Sequence, residues 1–293
     1  MASFAQNDRR TMPTSATLTP PALPLPSTLE RGADGIWYAR EREPVSYLEG
    51  GNEVCFEIEE DSFWFKHRGA CLAAVVRRFP PGGAIYDIGG GNGFVARTLL
   101  DAGFDAVLVE PGETGARNAA RRGIGTVICA TLATAKFAPN SLPAAGIFDV
   151  LEHVENAREF LGEIHRCLVP DGRLYITVPA FPWLWSDDDV AAGHYRRYTL
   201  ATLSSAVKAA GFAPLYRTHL FSPLPLPLLA LRCVPSLFGR RALPRKTYGS
   251  LHRQRANWLT DRIWAAELRR IESGRTIPFG SSCLLVAEKR RAS

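Results

Sequence analysis

A short glycine-rich segment that follows an apolar run constrains the fold of this chain more than any other feature. Residues 85–93 read Ile-Tyr-Asp-Ile-Gly-Gly-Gly-Asn-Gly, so residues typical of a strand lead directly into a turn that contains four glycines. Such a turn lets the backbone approach a ligand closely at the start of the following helix. The segment therefore predicts an α/β fold with a nucleotide-like ligand at the carboxyl end of the strand.

The carboxylate of Asp87 beside this turn indicates which kind of ligand is bound. Negative charge here would repel the pyrophosphate of a dinucleotide, whereas it would attract a ligand that carries an ammonium and a sulfonium and no phosphate. Asp87, Gly89, Gly91 and Gly93 are therefore predicted to hold the methionine part of S-adenosylmethionine. The alternative is a purely structural strand-to-helix turn.

Strands and helices alternate after the Pro-Pro-Gly-Gly sequence at 80–83. The apolar runs predict strands near 84–88, 106–110, 125–129, 143–148, 173–178, 214–220 and 281–288. Helical spacing and capping residues predict helices near 94–102, 114–122, 156–168, 200–210 and 258–271. This alternation predicts right-handed crossovers and a mostly parallel sheet with helices on both faces.

Two further motifs lie at the predicted carboxyl edge of this sheet. Glu110 ends the second strand and precedes Pro111, where an acidic side chain can accept hydrogen bonds from both hydroxyls of a ribose. The alternative is a surface carboxylate near a helix start. The sequence Phe148-Asp-Val-Leu-Glu-His153 ends the fourth strand, across the crevice in which open α/β sheets bind ligands.

Together these motifs resemble the class I, seven-strand S-adenosylmethionine-dependent methyltransferases over residues 60–220 and 278–288. The sequence is most similar to the small-molecule branch that includes ubiquinone-type O-methyltransferases, and it carries their Leu-Glu-His-Val signature at 151–154. The resemblance implies a Rossmann-like sheet of seven strands in the order 3-2-1-4-5-7-6, with an N-terminal helical lid and a helical insertion before the last strand.

The resemblance also implies a role for each residue that matches the family's cofactor motifs. Asp87 and the loop glycines hold the methionine end, Glu110 takes the ribose, and Phe148 lies beside the adenosine or the sulfonium. Pro111, which follows Glu110, is also predicted to bind the cofactor. The family commonly has an acidic residue for the adenine near the end of the third strand. This sequence has none there, so Thr131 or the backbone is predicted to serve.

Three histidine and aspartate residues are predicted to be catalytic: His153, His194 and Asp189. Methyl transfer from a sulfonium is a direct displacement, so it needs a base only where the acceptor must lose a proton. Imidazole titrates near neutrality and suits that role. The alternatives are a His153 bonded to backbone and a His194 that only orders its loop against an aspartate. No metal is predicted, although Asp187–Asp189 with a histidine would offer ligands.

Arginines at two places have both functional and structural interpretations. Arg68 is predicted to neutralise the carboxylate of the cofactor, because similar enzymes cover the cofactor with an aromatic and arginine-bearing helix; a packing helix is the alternative. Arg196 and Arg197 would either orient an anionic acceptor or pair with Asp187–Asp189 and hold the loop 181–198 closed.

The resemblance and the composition together divide the chain into regions. Five prolines among small polar residues predict a disordered tail over residues 1–28, and residues 29–80 are assigned to the helical lid. Residues 81–293 are assigned to the methyltransferase domain, with an apolar and helical insertion at 221–277. Residues 219–255 combine apolar and basic residues, which indicates either peripheral membrane contact or a packed cap with solvated arginines.

The remaining composition bounds the partners and the compartment. A net charge of +6 is moderate for a chain of this length and does not by itself indicate nucleic acid binding, so no nucleic acid partner is predicted. Six cysteines lie far apart, which predicts free thiols in a reducing compartment and hence a cytoplasmic protein. The predicted function is methyl transfer to a small-molecule acceptor, including a hydrophobic or lipid-like one, with O-methylation favoured. The alternatives are a nicotinamide-dependent oxidoreductase and a non-catalytic S-adenosylmethionine-binding scaffold.

Overall fold

Strands and helices alternate along the chain in the computed structural model, which describes residues 25–41, 53, 56, 58–237 and 258–291. The strands are β1 (Leu29–Arg31), β2 (Trp37–Ala39), β3 (Ile85–Ile88), β4 (Ala106–Val109), β5 (Val127–Cys129), β6 (Leu142–Phe148), β7 (Leu168–Pro179), β8 (Phe212–Leu220) and β9 (Ser282–Lys289). The helices are α1 (Phe63–Arg78), α2 (Phe94–Asp101), α3 (Glu113–Arg121), α4 (Leu132–Ala135), α5 (Ala157–Cys167), α6 (Asp187–Ala192), α7 (Leu200–Ala209), α8 (Pro225–Leu228), α9 (Val234–Leu237) and α10 (Trp258–Glu272).

One sheet organises all nine strands, in the order β1-β2-β5-β4-β3-β6-β7-β9-β8. Its seven strands from β3 to β9 follow the predicted order 3-2-1-4-5-7-6. Strand β9 runs antiparallel to both β7 and β8, and the pairs among β3 to β7 are parallel. The predicted Rossmann-like α/β fold is confirmed.

Helices cover both faces of this sheet because its central strands are buried along their whole length. Every residue of β3 and β4 is buried, as expected for parallel strands that lie between two helical layers. One layer packs α5 and α7 onto one face. The other packs α1, α2, α3 and α10 onto the opposite face.

Residues 29–80 were predicted to form a helical lid, but the first part of this region forms two short strands. β1 and β2 form a hairpin, and β2 adds to the outer edge of β5, where Trp37 pairs with Ile128. Asp-Gly, the sequence of the turn between them at 34–35, is typical of a β-hairpin. The prediction missed it because it followed the helical spacing of apolar residues later in the same region. Pairing with β2 satisfies backbone groups that β5 would otherwise expose at the sheet edge. The predicted disordered tail lies mostly outside the described residues.

Several boundaries also differ from the predictions. Helix α3 begins at Glu113 with Gly112 as its N-cap, so Thr114 is not the cap. The segment 181–198, predicted as a loop, contains a 3-10 turn at Pro182–Leu184 and the short helix α6, capped by Ser186. The five described cysteines are free and buried, as predicted, and Cys55 lies outside the described residues.

Helices α1 and α10 are joined by a buried carboxylate. Glu267 of α10 lies 2.8 Å from His67 Nε2 of α1 and accepts hydrogen bonds from the backbone N–H groups of Phe221 (2.7 Å) and Ser222 (2.8 Å). Trp64 stacks on Phe221 beside it, with ring centroids 5.3 Å apart. The N-terminal helix and the insertion are therefore fastened to each other and to the end of β8.

Removal of this carboxylate is expected to destabilise the fold strongly. Glu267→Ala leaves the buried N–H of Phe221, the half-buried N–H of Ser222 and the buried His67 without their acceptor, so we expect a loss of about 2–4 kcal/mol in the free energy of unfolding. Urea denaturation followed by far-ultraviolet circular dichroism measures this loss. Glu272→Ala, an exposed carboxylate at the end of the same helix, serves as the control and is expected to change stability by less than about 0.5 kcal/mol. Equal effects of the two variants would contradict this role of Glu267.

Candidate active site

The glycine turn after β3 has the backbone conformation that its sequence requires. Gly89, Gly91 and Gly93 have φ values of +72°, +54° and +76°, a region that glycine enters without steric cost. At Gly89 a Cβ would also lie 2.9 Å from the side chain of Val150. Gly93 is the N-cap of α2. Residues with side chains would therefore strain this turn and close the space beside it.

Asp87 is fully buried at the base of the turn. Among the described residues, no hydrogen bond of good geometry reaches either carboxylate oxygen. The pKa of Asp87 is raised to about 7, by burial above all and also by the nearby Glu110, while Arg68 and the Ala96 backbone amide oppose the increase. A buried carboxylate with this deficit of donors fits a ligand that brings an ammonium group or an ordered water.

Glu110 contacts the same turn from the end of β4. Its Oε2 accepts from the Gly91 N–H at 2.9 Å, and its Oε1 accepts from the Gly112 N–H at 2.8 Å. Burial raises the pKa of Glu110, and these two backbone donors oppose the increase. Each oxygen retains acceptor capacity, so the carboxylate is oriented as a receptor for two hydroxyl groups.

A cavity of about 630 Å³ opens in front of these residues. Nine of the predicted site residues line it: Arg68, Asp87, Gly89, Gly91, Glu110, Pro111, Thr131, Phe148 and His153. The other three, Gly93, His194 and Asp189, do not. The cavity lies beyond the carboxyl ends of β3, β4 and β6, where parallel α/β sheets bind ligands. Its position and lining fit S-adenosylmethionine.

Thr131 lines the cavity at the N-terminus of the short helix α4. Its hydroxyl oxygen accepts from the Thr134 N–H at 3.0 Å and is the N-cap of that helix. The side chain thus already has a structural partner. Its backbone remains beside the cavity, where the sequence predicts contact with the adenine.

Arg68 reaches the cavity from α1. Its Nη1 donates to Asp149, and its guanidinium lies 4.3 Å from the ring centroid of Trp64 and 5.3 Å from that of Phe65. Among the described residues, the buried Nε of Arg68 has no hydrogen-bond acceptor, and the side chain as a whole is buried. The side chain of Arg68 is therefore packed against aromatic rings, as the alternative interpretation predicts. It also lines the cavity, where it could contact the carboxylate of the cofactor.

The three residues predicted to be catalytic form a continuous chain at one end of the cavity. His153 lines the cavity and packs edge-to-face against His194, with ring centroids 4.7 Å apart. His194 Nδ1 lies 2.8 Å from Asp189 Oδ1. Burial first, and then the neighbouring His194, lower the pKa of His153 to about 4. His153 is therefore a neutral imidazole at pH 7.

Asp189 is held as an anion although it is buried. Burial raises its pKa, but hydrogen bonds from His194 and Arg197 and from the Ser186 backbone outweigh burial and lower it overall. Arg197 donates to Asp189 at 2.7 Å and to the Ala180 carbonyl at 3.2 Å. The loop 181–198 is thus fixed around a buried charge.

A family model described as a methyltransferase domain matches residues 64–216, more than half of the chain. The chain belongs to this methyltransferase family. It is an S-adenosylmethionine-dependent methyltransferase, and S-adenosyl-L-methionine is its cofactor. The matched region contains the glycine turn, Glu110, His153, Asp189 and His194. No curated protein sequence matches the chain significantly.

Solved structures agree with this fold. A methyltransferase from Thermotoga maritima is 17% identical, with a TM-score of 0.52 over 81% of this chain and 94% of its own. Haemonchus contortus phosphoethanolamine N-methyltransferase 2, solved with S-adenosyl-L-methionine, is 17% identical, with a TM-score of 0.53 over 83% of this chain and 58% of its own. The [4+2]-cyclase SpnF is 19% identical, with a TM-score of 0.50 over 84% and 87%. Such similarity establishes the fold alone.

The structure of the methyltransferase also reveals a network that the sequence analysis missed. Glu59 lines the cavity and is buried, and its carboxylate accepts from Arg122 Nη1 at 2.8 Å and Asn92 Nδ2 at 3.2 Å. Asn118 donates to Asn92 at 2.8 Å. These residues are 26 to 63 positions apart, so no local pattern could have joined them. They tie the segment before α1 to the glycine turn.

The arginines of the loop do not line the cavity. Arg197 is bound to Asp189, and Arg196 donates to the backbone carbonyl of Glu155 at 2.6 Å. Of the two interpretations of these residues, the structure matches the one in which they hold the loop closed.

Two groups of three residues each place atoms that could bind a metal within 4.8 Å of one another. One group is Glu152, His153 and His194, and the other is His67, Cys71 and Glu267. The expectation that no metal is needed stays a prediction.

Proposed function

We propose that this methyltransferase transfers the methyl group to a small-molecule acceptor that lies beside His153. The observation that carries this proposal is the position of His153, which lines the cofactor cavity and is backed by His194 and Asp189. An acceptor hydroxyl at this place would meet a neutral imidazole that can take its proton. O-methylation, as in the ubiquinone-type branch, is therefore the favoured reaction.

The reaction is a displacement in which an acceptor lone pair forms the new bond to carbon while the carbon–sulfur bond breaks. When bound, S-adenosylmethionine supplies a methyl carbon activated by its sulfonium. Asp87 is proposed to hold the ammonium of the cofactor, Glu110 its ribose and Arg68 its carboxylate. His153 accepts the proton that the acceptor hydroxyl loses, and His194, held by Asp189, positions the His153 ring. The covering residues Trp64 and Phe65 exclude water.

A screen for labelled methyl transfer tests this proposal. The protein is incubated with S-adenosylmethionine that carries a radioactive methyl group and with water-soluble and lipid extracts of cells. We expect label to appear in a small organic product and not in protein. Binding of the cofactor product S-adenosylhomocysteine without transfer to any extract would instead favour the non-catalytic scaffold. Titration with NADH is expected to give no heat, since the family match leaves no support for the nicotinamide alternative.

The insertion 221–277 carries exposed apolar side chains, and we propose that it contacts membranes peripherally. Leu226 is 66% exposed and Trp258 is 71% exposed, and Leu231 and Val234 are exposed between them in sequence. Six basic residues follow between positions 240 and 255. Apolar residues beside cations suit an anionic bilayer surface. Among the described residues, no helix is long and apolar enough to cross a membrane. A packed cap is the alternative.

Vesicle co-sedimentation distinguishes these two interpretations of the insertion. We expect the protein to sediment with vesicles that contain phosphatidylserine at low salt, and to be released in part at about 0.5 M salt because charge attraction is then screened. The variant Leu226→Ser/Leu231→Ser is expected to bind at least about fivefold more weakly, since two exposed apolar contacts are lost. Val190→Ser, an exposed apolar residue of α6, is the control. Failure to bind anionic vesicles at low salt would leave the packed cap.

A further inference from the structure

A second cavity, of about 450 Å³, lies beside helix α10 and the segment that follows it. No residue of its lining also lines the cofactor cavity. Three of its lining side chains are arginines, Arg269, Arg270 and Arg275, and one is a carboxylate, Glu267. A cleft lined mainly by one sign of charge concentrates ligands of the opposite sign. The lining therefore indicates an anionic ligand.

The three arginines keep most of their hydrogen-bonding capacity for a ligand. All three are exposed. Arg270 Nε donates to the Thr276 carbonyl at 2.9 Å, which uses one donor of that guanidinium and leaves the others. Among the residues that the structure describes, none of the three side chains forms an ion pair with a carboxylate. Their charges are therefore unbalanced within the described part of the chain.

Glu267 does not supply that balance, because its carboxylate is already bound elsewhere. It lies 2.8 Å from His67 Nε2 and accepts hydrogen bonds from the backbone N–H groups of Phe221 and Ser222. Burial raises the pKa of Glu267, but these hydrogen bonds outweigh burial and lower it overall. Glu267 is thus a buried anion held by its own donors, and the charges of the three exposed arginines remain.

The helix dipole explains part of this charge without a ligand. Cations in the last turn of a helix interact favourably with its C-terminal end, which accounts for Arg269 and Arg270 of α10. It does not account for Arg275, which lies beyond the helix. Arg78 of α1 adds a fourth cation here, because its guanidinium occupies the place that a Cβ at Gly274 would take. Cations that gather in this way repel one another until an anion binds among them.

The chemistry of the lining indicates which anion fits. The planar guanidinium forms paired hydrogen bonds with phosphate oxygens. A phosphate monoester presents more acceptor oxygens and more negative charge than a carboxylate does, so it matches several arginines better. Ile263, Ala266 and Ile277 give the same cavity an apolar wall. A phosphate attached to an apolar group therefore satisfies both parts of the lining.

We propose that this cavity binds the phosphate group of a ligand with an apolar part, through Arg269, Arg270 and Arg275. The site does not depend on the proposed methyl transfer, because the two cavities share no lining residue. Phosphate monoesters occur both as soluble compounds and as the headgroup of phosphatidic acid. The binding chemistry is the same for both sources, and vesicle binding distinguishes them.

Isothermal titration calorimetry of the full chain with phenyl phosphate tests the proposal. We expect saturable binding with a Kd of about 1 mM or below. Inorganic phosphate is expected to bind more weakly, because it makes no contact with the apolar wall. Absence of saturable binding of phenyl phosphate up to about 10 mM would overturn the proposal.

The double variant Arg269→Gln/Arg275→Gln tests the assignment to these residues. We expect phenyl phosphate to bind at least about tenfold more weakly, since two charge-assisted contacts are lost. Arg262→Gln/Arg290→Gln removes the same charge from exposed arginines outside the cavity and is expected to bind as the wild type does. Both variants are expected to keep the affinity for S-adenosylhomocysteine, which reports a folded protein. Equal affinities of the two variants for phenyl phosphate would contradict the assignment.

Vesicle co-sedimentation identifies the source of the phosphate. The vesicles contain phosphatidylcholine with either phosphatidic acid or phosphatidylserine, matched for surface charge. A lipid headgroup predicts stronger sedimentation with phosphatidic acid and release by phenyl phosphate, whereas a soluble ester predicts neither. A preference for phosphatidic acid that persists in Arg269→Gln/Arg275→Gln would contradict the site, because the phosphate would then be bound elsewhere.

Discussion

Replacement of Asp87 by alanine is expected to weaken the binding of S-adenosylhomocysteine at least about 100-fold, because the loss of a buried charge partner commonly costs 2–5 kcal/mol. The same change is expected to stabilise the cofactor-free protein at pH 8. Asp87 is fully buried without a well-formed hydrogen bond among the described residues, so its ionised form is costly until a cation arrives. Isothermal titration calorimetry and thermal unfolding measure the two effects.

The pH dependence of binding follows from the same carboxylate. The pKa of Asp87 is raised to about 7 in the folded, cofactor-free protein, against 3.8 for an ordinary aspartate. The folded state therefore holds an extra proton between these values, and the stability of the cofactor-free protein is expected to fall as the pH rises from about 4 to 7. Below pH 7 the ammonium must displace this proton, so the affinity is expected to fall about tenfold per pH unit.

Two variants separate this explanation from a general disturbance of the turn. Asp87→Asn keeps the shape of the side chain and is expected to bind weakly with no pH dependence between 5 and 8. Asp101→Ala removes an exposed carboxylate at the end of α2 and is expected to leave both affinity and its pH dependence unchanged. Wild-type affinity in Asp87→Ala would show that the ammonium is held elsewhere.

Replacement of His153 by alanine is expected to lower kcat at least about 100-fold, since a positioned general base contributes 10²–10⁴ to the rate. The affinity for S-adenosylhomocysteine is expected to change less than about twofold, because Asp87 and Glu110 contact other parts of the cavity. The assay uses the acceptor fraction found in the labelled-methyl screen, at saturating S-adenosylmethionine so that Asp87 is ionised throughout. If His153→Ala keeps the full rate, proximity and desolvation alone account for the catalysis.

The pH profile distinguishes a positioning role of His194 from a merely structural one. The pKa of His153 is lowered to about 4, by burial first and then by His194. Because the base acts when unprotonated, kcat/KM for the acceptor is expected to be nearly constant from pH 7.5 to 5.5 and to fall only as the pH approaches 4. In His194→Ala, one cause of the lowered pKa is removed, so this fall is expected at higher pH. A purely structural His194 would lower the rate without a shift in the profile.

Much of the cofactor site could be predicted because it depends on short segments of sequence. Asp87 and Glu110 end neighbouring parallel strands, and the carboxyl ends of such strands meet at one edge of the sheet. Nothing more than strand order was needed to place both carboxylates in one cavity. Gly93 departs from this pattern. It was predicted to contact the cofactor, but its φ of +76° serves the start of α2, and its Cβ position faces Ala119 and Ile124 away from the cavity.

The cover over the site could not be predicted in the same way. Residues 29–39 were assigned to a helical lid, and instead they form strands because the edge of β5 offers backbone partners. Arg68 was predicted to bind the cofactor carboxylate, and its ion pair with Asp149 was not predicted. For Arg196 and Arg197, one of the two predicted roles was to bind an anionic acceptor. Each of these contacts joins segments distant in sequence, for which a single sequence provides no register.

The sequence by itself determined the alternation of strands and helices, the conformation of the glycine turn and the two carboxylates beside it, whereas the order of the seven strands came from the family resemblance. These features follow from apolar strands, from backbone angles that glycine permits, and from charges fixed at strand ends. Only the tertiary structure decided which of the remaining groups share the cavity. It brought His153 against His194 and Asp189 and closed Glu59 onto Arg122. Among the described residues, it also placed six carboxylates and one guanidinium along the lining of this cavity. The physical reason is that burial and charge depend on neighbours across the fold, and those neighbours set the pKa values on which the chemistry depends.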